Sequence, residues 1–368
     1  MIRSVTVRTG IAIAGLAALM ALAVLFNARG AIGFHPADSF DGRLAVVAVP
    51  GYHVSVFTTA TAAQKVSNPD SAVVDGAHVF IDYQNVTSKT GGAGQFSTVV
   101  EYNMEGDWLK SWQVPGHSDG MRVNPADHVI WTTSNEDGNA QFATINTKTD
   151  AVTSYTFPPA PHGGGYDDLY FLGGKAFVAA SNPVNLDASG VNTNDAVDQI
   201  TLNPDHTITL TSVLKGNAAA TNTNTGAATT LNLSDPDSLS TDGKGNLVLV
   251  SQGDSLLVTI SNPGTTNTPV AALTVGTQPD DTVYPSGMGR LLVVDAGGTT
   301  YWISKDTAFA AGSIYTQAPN DSGVTNFVGT VNPTTGLITP LAIGFTKTTG
   351  MVFVPTIQTT GDSQNSGD

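Results

Sequence analysis

The sequence predicts an all-β fold, a six-bladed β-propeller of four-stranded antiparallel blades whose ring is closed by strands from both chain ends. Three observations support this prediction. An aspartate-led segment recurs along the chain, pairs of β-type runs follow the copies, and no long 3.6-residue periodicity follows the N-terminal segment. Abundant Thr, Asn and Gly with short Val-rich runs suit many short strands joined by polar turns.

The recurring segment opens each predicted blade. One copy, "DPDSLSTDGKGNLVLVSQGDS" from Asp235 to Ser255, has an aspartate beside a small residue, an apolar stretch, a glycine turn and a second β-type run. Relatives include "PDSAVVDGAHVFIDY", "YDDLYFLGGKAFVAAS", "PDDTVYPSGMGRLLVVD" and the weaker "TTGMVFVP". The leading residues lie about 43 to 70 residues apart, a period typical of propellers and solenoids. They are Asp70, Asp119, Asp167, Asp237, Asp280 and Thr349.

Two further strands follow most of these pairs, such as "QFATINT" and "VTSYTF" after Ser118. Four strands joined by hairpin turns indicate a propeller blade rather than a helical or leucine-rich repeat. Six leading residues therefore predict six blades. The longer intervals are interpreted as inserted loops, at about Asn182 to Asp195, Lys215 to Leu233 and Lys305 to Val324.

Ring closure is predicted from the chain ends. "RLAVVAV" and "HVSVF" near the N-terminus lack an inner strand, and "GMVFVP" near the C-terminus lacks outer ones, so together they can complete one blade and leave no open edge. This predicts a single propeller domain over residues 40–355. Residues 356–368 are predicted to form a disordered tail.

The first thirty residues are predicted to be an export segment. Arg3 and Arg8 precede an apolar run from Ile11 to Phe26, and small residues follow it up to about Gly30. This pattern describes a secretory signal, and the run is shorter than the roughly 20 residues that span a bilayer comfortably. Cleavage near Gly30 and retention as an N-terminal membrane anchor both remain open. Either alternative predicts an extracytoplasmic domain, periplasmic or secreted.

The composition limits partners and chemistry. Fifteen basic and thirty acidic residues give a formal charge of −15, which repels nucleic acid at long range and attracts cations. The chain has no cysteine, which excludes disulfides, a thiolate nucleophile and Cys-ligated metals. We find no serine-hydrolase elbow and no zincin motif.

The leading residues are predicted to crowd one mouth of the central channel, because the innermost strand of each blade starts at one face of the ring. Carboxylates that converge there repel one another unless a cation lies between them. Ca²⁺ or Mg²⁺ is the expected ion. An alternative for each aspartate is a structural role that holds a tight turn at a strand entrance. The candidate metal ligands are Asp70, Asp119, Asp167, Asp168, Asp237 and Asp280.

Other residues are assigned by the predicted face. His117 and His162 precede inner strands on the mouth side and are candidate catalytic bases, with simple hydrogen bonding as the alternative. His78 and His128 begin second strands and are predicted to lie on the opposite surface. Further acidic residues of the mouth-side loops are Asp82, Glu136, Asp137, Asp187, Asp195, Asp254 and Asp295. Four aromatic residues are expected to pack between blades or border the mouth: Tyr83, Trp131, Tyr166 and Trp302.

"SDGMRVNPADHVIW" and "PDSLSTDGKGNLVLV" resemble blade openings of the gluconolactonase/regucalcin family and of the related NHL and streptogramin-lyase propellers. The resemblance implies a divalent cation on the axis and, for the gluconolactonase relatives, lactone hydrolysis. It aligns Asp237 with an Asp metal ligand, Asp167 or Asp168 with a metal-binding Asn, and Asp70 with a first-blade Glu. Ser118 stands where the family has a substrate-contacting Asn. The family's preceding Arg is absent.

Two hypotheses about function follow. In the first, Asp70, Asp167 and Asp237 hold a cation that polarises a lactone or ester carbonyl, and His117 or His162 moves a proton. In the second, the chain is a non-catalytic envelope propeller whose acidic mouth and polar insertions bind a partner. The fold alone does not choose between them.

Overall fold

In the computed structural model, six β-sheets are arranged in a ring, and the predicted six-bladed propeller of antiparallel blades is confirmed. The structure describes residues 45–265, 268–319 and 326–356. The predicted export segment, 1–30, and nearly all of the predicted tail lie outside these residues. Within the described ranges, no helix has the length and apolar character needed to cross a membrane.

The strands are numbered along the chain. Two precede the first complete blade, β1 (Val47–Ala48) and β2 (Tyr52–Thr59), and the 3₁₀ turn Ala62–Gln64 follows them. Blade 1 contains β3 (Pro69–Asp75), β4 (His78–Tyr83), β5 (Phe96–Asn103) and β6 (Trp108–Pro115). Blade 2 contains β7 (Ser118–Val123), β8 (Ile130–Ser134), β9 (Gln141–Asn146) and β10 (Ala151–Thr156). Blade 3 contains β11 (Tyr166–Leu172), β12 (Lys175–Ala180), β13 (Asp195–Leu202) and β14 (Ile208–Lys215).

Blade 4 is larger than the sequence pattern indicates. The hairpin of β15 (Ala219–Asn222) and β16 (Ala228–Thr230) lies at its outer edge, where β15 pairs in parallel with the outermost regular strand. The segment 215–233, predicted to be a loop, therefore adds two strands. The four regular strands are β17 (Pro236–Thr241), β18 (Leu247–Ser251), β19 (Leu256–Ile260) and β20 (Val270–Thr274).

Blades 5 and 6 exchange strands along the chain. The remaining strands are β21 (Thr282–Val283), β22 (Gly289–Asp295), β23 (Thr299–Lys305), β24 (Ile314–Ala318), β25 (Phe327–Val331), β26 (Ile338–Ile343) and β27 (Thr348–Pro355). Blade 5 is formed by β21, β24, β25 and β26, with β1 outside β26. Blade 6 runs from β27 through β22 and β23 to β2, so the first and last long strands close the ring as predicted.

This exchange corrects three details of the sequence interpretation. "PDDTVYPSGMGRLLVVD" does not form one strand pair, because "RLLVVD" lies in the next blade. Each chain end supplies one long strand to blade 6, β2 and β27, so its two middle strands, β22 and β23, come from the chain that precedes β24. The segment 305–324 contains the buried β24 and is not wholly a loop. "RLAVVAV" contributes β1 to blade 5 rather than to the closing blade.

Five of the six inner strands share one irregularity that positions the mouth residues. A β-bulge interrupts the register of β3, β7, β11 and β17 directly after the first residue, and β27 has one at the same place. A bulge adds a residue to one strand and redirects its side chains. The leading aspartates of blades 1 to 4 are therefore bulge residues rather than members of a regular ladder.

The core lies between neighbouring blades. Second strands such as Leu247–Ser251 are buried along their whole length, since both faces of a blade are covered. The predicted aromatic residues pack there: the ring of Trp302 meets Phe57 edge-on at a centroid distance of 5.2 Å. Tyr166 stacks on Phe157 at 4.4 Å. The alternative that these aromatic rings border the mouth is not needed to explain their positions.

Candidate functional site

The six leading residues of the repeat line one cavity at the channel mouth. The cavity has a volume of about 260 Å³, and every blade contributes to its wall. The lining includes Asp70, Asp119, Asp167, Asp237, Asp280 and Thr349, together with Asp168. All six predicted metal ligands therefore line one cavity. Among the described residues, only Asp119 of these six belongs to a group whose possible ligand atoms lie within 4.8 Å of one another.

Small residues beside the aspartates allow the inner strands to approach each other here. A Cβ added at Gly120, the residue after Asp119, would lie 2.4 Å from the Cα atom of Asp168 in the next blade. One added at Gly350 would lie 2.2 Å from the carbonyl oxygen of Asp70. The Asp-small pair in the sequence thus reflects close packing as well as the mouth's chemistry.

Burial and repulsion raise the pKa values of the mouth carboxylates. Burial is the main cause for Asp70, Asp119, Asp167 and Asp237, and the charges of neighbouring carboxylates add to it. For Asp237, the charge of Asp280 adds most after burial, followed by other acidic groups around the mouth. Such groups gain most when a cation enters between them.

Lys89 and Glu136 form an ion pair within this cavity. Lys89 lies in the loop between β4 and β5, and its Nζ contacts Oε1 of Glu136. Burial acts to raise the pKa of Glu136, but a hydrogen bond with Asp167 and the Lys89 charge lower it overall. The same carboxylate raises the pKa of Lys89 against the effect of burial. Lys89 was not identified from the sequence.

His117 does not line the cavity, but it lies close to Asp119 and Glu136, which do. Its Nε2 is 3.5 Å from Oδ1 of Asp119, and its Nδ1 is 2.9 Å from Oγ1 of Thr87. The side chain is buried, which lowers its pKa although the charge of Glu136 acts in the opposite direction. Atoms of His117, Asp119 and Glu136 that could ligate a metal all lie within 4.8 Å of one another.

His162 lies apart from these residues. It is not part of the cavity lining, its Nε2 is 2.8 Å from the carbonyl oxygen of Gly165, and its ring meets Tyr166 edge-on. Burial lowers its pKa. Its proposed role as a base remains a prediction. His78 and His128 are exposed and pair with Glu101 and Asp75, as expected for surface residues.

A second set of carboxylates lies next to the mouth but is bonded within the fold. Oδ2 of Asp168 accepts from Arg122 at 2.6 Å and from the backbone N–H of Leu239 in the next blade at 2.9 Å. Oδ2 of Asp281 accepts from the backbone N–H of Met351 at 2.7 Å. These bonds join the inner strand of one blade to that of the next. Sequence reasoning missed Arg122 and Asp281.

Asp82 belongs to this bonded set in part. Its Oδ1 accepts from the backbone N–H of Ser71 at 2.5 Å, whereas its Oδ2 is buried without a hydrogen-bond partner. Burial raises its pKa to about 8. The exposed or loop-holding acids complete the predicted mouth-side group: Asp295 accepts from backbone N–H groups of Gly297, Thr346 and Lys347. Asp254 accepts from the backbone N–H of Ser234, and Asp187 accepts from that of Ser189. Asp195 forms an ion pair with Lys215, and Asp137 accepts from the side-chain amide of Asn182.

The donors at the mouth fit a divalent cation. Carboxylate oxygens from five blades face one small cavity, and these are the ligands that hard cations prefer. The unpartnered, buried Nε2 of His117 adds one nitrogen donor beside them. Fold and site together define a six-bladed propeller with an acidic, oxygen-rich mouth.

Comparisons with known proteins give matches to solved structures alone. No family model and no curated protein matches the chain. A solved structure described as a "putative gluconolactonase" is 13% identical, with a TM-score of 0.46, over 82% of this chain and 85% of that one. A protein of unknown function from Bacteroides caccae is 10% identical, with a TM-score of 0.46, over 78% and 86%. These similarities concern strand arrangement and say nothing about chemistry.

Proposed function

We propose that this propeller is exported and binds a divalent cation together with a small, oxygen-bearing molecule at its channel mouth. The single observation that carries the proposal is the convergence of Asp70, Asp119, Asp167, Asp237 and Asp280 on one cavity of about 260 Å³. Five carboxylates so placed repel one another, and a cation with oxygen ligands offsets that repulsion. The export part rests on the N-terminal sequence pattern alone.

The residues of the mouth fit defined tasks in this proposal. Asp70, Asp167 and Asp237 hold the cation, which when bound polarises a carbonyl oxygen and lowers the pKa of water. The buried His117 accepts or returns a proton beside it, because burial lowers its pKa and so favours the neutral ring that can act as a base. A lactone or ester presents the carbonyl that this arrangement suits.

A non-catalytic scaffold is the second candidate. The ion pair of Lys89 and Glu136 favours it, because the chain already supplies positive charge inside the mouth, where Lys347 also lines the cavity. In that case the remaining carboxylates hold protons rather than a metal, and the acidic face binds a partner. This candidate predicts no cation-dependent change in stability.

Calorimetric titration of the EDTA-treated domain with Ca²⁺ tests the proposal. We expect binding in the wild type and its loss in Asp237→Asn. The matched control is Asp187→Asn, because Asp187 lies in an exposed loop and its Oδ1 accepts only local backbone N–H groups. If Ca²⁺ does not bind the wild type, or if it binds Asp237→Asn as tightly as the wild type, the scaffold candidate is favoured.

Catalysis is tested separately with a panel of lactones and aryl esters. We expect EDTA to remove activity and His117→Ala to reduce it, by roughly 10² to 10⁴-fold for a lost general base. His162→Ala is the comparison, because its Nε2 is already engaged by the carbonyl oxygen of Gly165. Activity that survives His117→Ala unchanged would exclude this residue as the base.

A further inference from the structure

One buried nitrogen beside the mouth has no hydrogen-bond partner. His117 is 7% exposed, and its Nε2 is among the buried side-chain atoms that lack a partner. An unpaired buried polar atom costs free energy, so its presence needs an explanation. The atom lies 3.5 Å from Oδ1 of Asp119.

The surrounding bonds indicate which nitrogen carries the proton. Oγ1 of Thr87 donates its single hydrogen to the carbonyl oxygen of Gln84. The same oxygen is 2.9 Å from Nδ1 of His117, so it accepts there, and Nδ1 carries the hydrogen in the neutral ring. Nε2 therefore presents a lone pair. Metal-ligating histidines are held in this way, with the other ring nitrogen donating to a neighbouring oxygen.

Carboxylate oxygens lie near this imidazole at metal-site spacing. Ligand atoms of His117, Asp119 and Glu136 lie within 4.8 Å of one another. Ligands about 2.0 to 2.2 Å from a shared ion are separated by about 3 to 4.5 Å, so a small shift closes this set around one ion. Asp119 is also held in place, since Oδ1 accepts from Gln84 and Oδ2 from the backbone N–H of Glu136, each at 3.2 Å.

We propose that His117, Asp119 and Glu136 form a wall site for a borderline first-row ion such as Zn²⁺ or Co²⁺. Such ions accept imidazole and carboxylate ligands together, whereas Ca²⁺ and Mg²⁺ prefer oxygen alone. The inference shares Asp119 and Glu136 of the mouth with the proposed function, and an ion held by Nε2 of His117 would take the lone pair that the proposed function uses as a base. It adds a second, nitrogen-containing site with a different ion preference.

Lys89 is the chain's own competitor for this site. Its Nζ contacts Glu136, while its side chain is 57% exposed, so the ammonium can move into solvent when an ion arrives. An ion in the wall site must displace it. Replacement of Lys89 by a neutral residue should therefore tighten metal binding.

The test measures Co²⁺ and Ca²⁺ binding to the EDTA-treated full chain by calorimetry and visible absorption. We expect Co²⁺ to bind the wild type. His117→Gln should lower the Co²⁺ affinity by at least about tenfold, because loss of even a residue that hydrogen-bonds a metal ligand lowers metal affinity by that factor. Lys89→Met should strengthen Co²⁺ binding. The control His162→Gln should leave it unchanged. Nitrogen coupling from one histidine in the pulsed EPR spectrum of bound Cu²⁺ gives a readout that does not depend on any variant folding.

The outcomes separate the two proposals. One outcome is that Ca²⁺ binding requires Asp237, Co²⁺ binds no more tightly than Ca²⁺, and His117→Gln has no effect on binding. This outcome overturns the wall site and leaves the proposed function standing. Co²⁺ binding that needs His117 but not Asp237, without Ca²⁺ binding, supports the wall site and overturns the axial cation. Absence of histidine nitrogen coupling overturns the wall site, and absence of all ion binding overturns both.

Discussion

Asp167 and Asp168 are neighbours in the chain but lie in different surroundings. Asp168 accepts hydrogen bonds from Arg122 and from the backbone of the next blade, and its pKa, raised by burial, is brought back to about 7 by Arg122. Asp167 faces the mouth, where burial and the charges of Asp237 and Glu136 raise its pKa well above the usual value. One layer of carboxylates is bonded between blades, whereas the repulsion within the other is relieved by protons or a cation.

The two layers should respond differently to substitution. Loss of a partner in the bonded layer leaves a buried charge uncompensated and destabilises the ring. Loss of a carboxylate at the mouth removes repulsion, so the metal-free chain should keep or gain stability while losing ion binding.

Arg122→Met should destabilise the domain by about 3 kcal/mol at pH 8, the lower end of the cost of breaking a buried ion pair. Urea unfolding measures this change. The double variant Arg122→Met with Asp168→Asn should recover part of the loss, because no buried carboxylate is then left without its partner. Arg290→Met is the control, since that guanidinium lies over the ring of Trp302 at 3.9 Å and such contacts contribute about 1 kcal/mol or less. Equal losses in both variants would contradict the layer distinction.

Asp237→Asn should abolish the cation-dependent stabilisation of the domain. At a free ion concentration 100 times the dissociation constant, that stabilisation is about 2.7 kcal/mol in the wild type. Thermal unfolding with Ca²⁺ and with EDTA measures it. In EDTA the variant should be at least as stable as the wild type, because one source of repulsion around Asp280 has gone. A variant destabilised in EDTA would place Asp237 in the bonded layer instead.

Gly120→Ala should cost about 1–3 kcal/mol, a range typical of overpacking. The added methyl group would meet backbone atoms of Asp167 and Asp168 at 2.4 to 2.6 Å, and backbone atoms do not move aside easily. Gly243→Ala provides a comparison in open space: the backbone φ of Gly243 is +72°, so its cost comes from conformation alone. Chemical unfolding of both variants measures the loss in the free energy of unfolding. A loss in Gly120→Ala no larger than that in Gly243→Ala would contradict the prediction.

Asp82→Asn should flatten the pH dependence of stability. In the folded chain Asp82 keeps its proton up to about pH 8, whereas the unfolded group loses it near pH 3.9. Unfolding therefore releases a proton between these values, and stability falls as pH rises, by up to about 1.4 kcal/mol per pH unit for this group. Urea midpoints from pH 5 to pH 8 should decline less in the variant. Parallel profiles would contradict the assignment.

The sequence was sufficient to predict the fold and the mouth aspartates because their signal is local. An aspartate, a small residue and a β-type run mark the start of an inner strand, and the bulge after Pro69, Ser118, Tyr166 and Pro236 occurs at the same step of the repeat. Which blade receives the hairpin 289–305 depends on non-local pairing with both chain ends. Its first strand is a continuous apolar run, "LLVV", that fits the buried second strand of either blade.

The wall of the mouth was harder to predict for a related reason. Lys89 enters through an irregular loop whose path is fixed by contacts with blade 2, including the bond from the backbone N–H of Asp137 to its carbonyl oxygen. His117 and His162 both precede inner strands, yet three glycines separate His162 from its strand and Gly163 has a φ of +82°. That turn places the ring against Gly165 rather than at the mouth.

The central claim is that the mouth carboxylates hold a divalent cation in place of protons. Calorimetric Ca²⁺ titrations of the EDTA-treated domain at pH 7, in two buffers of different ionisation enthalpy, count the protons released on binding. The account predicts saturable binding with net proton release, both lost in Asp237→Asn. Binding without proton release, or no binding at all, would contradict it.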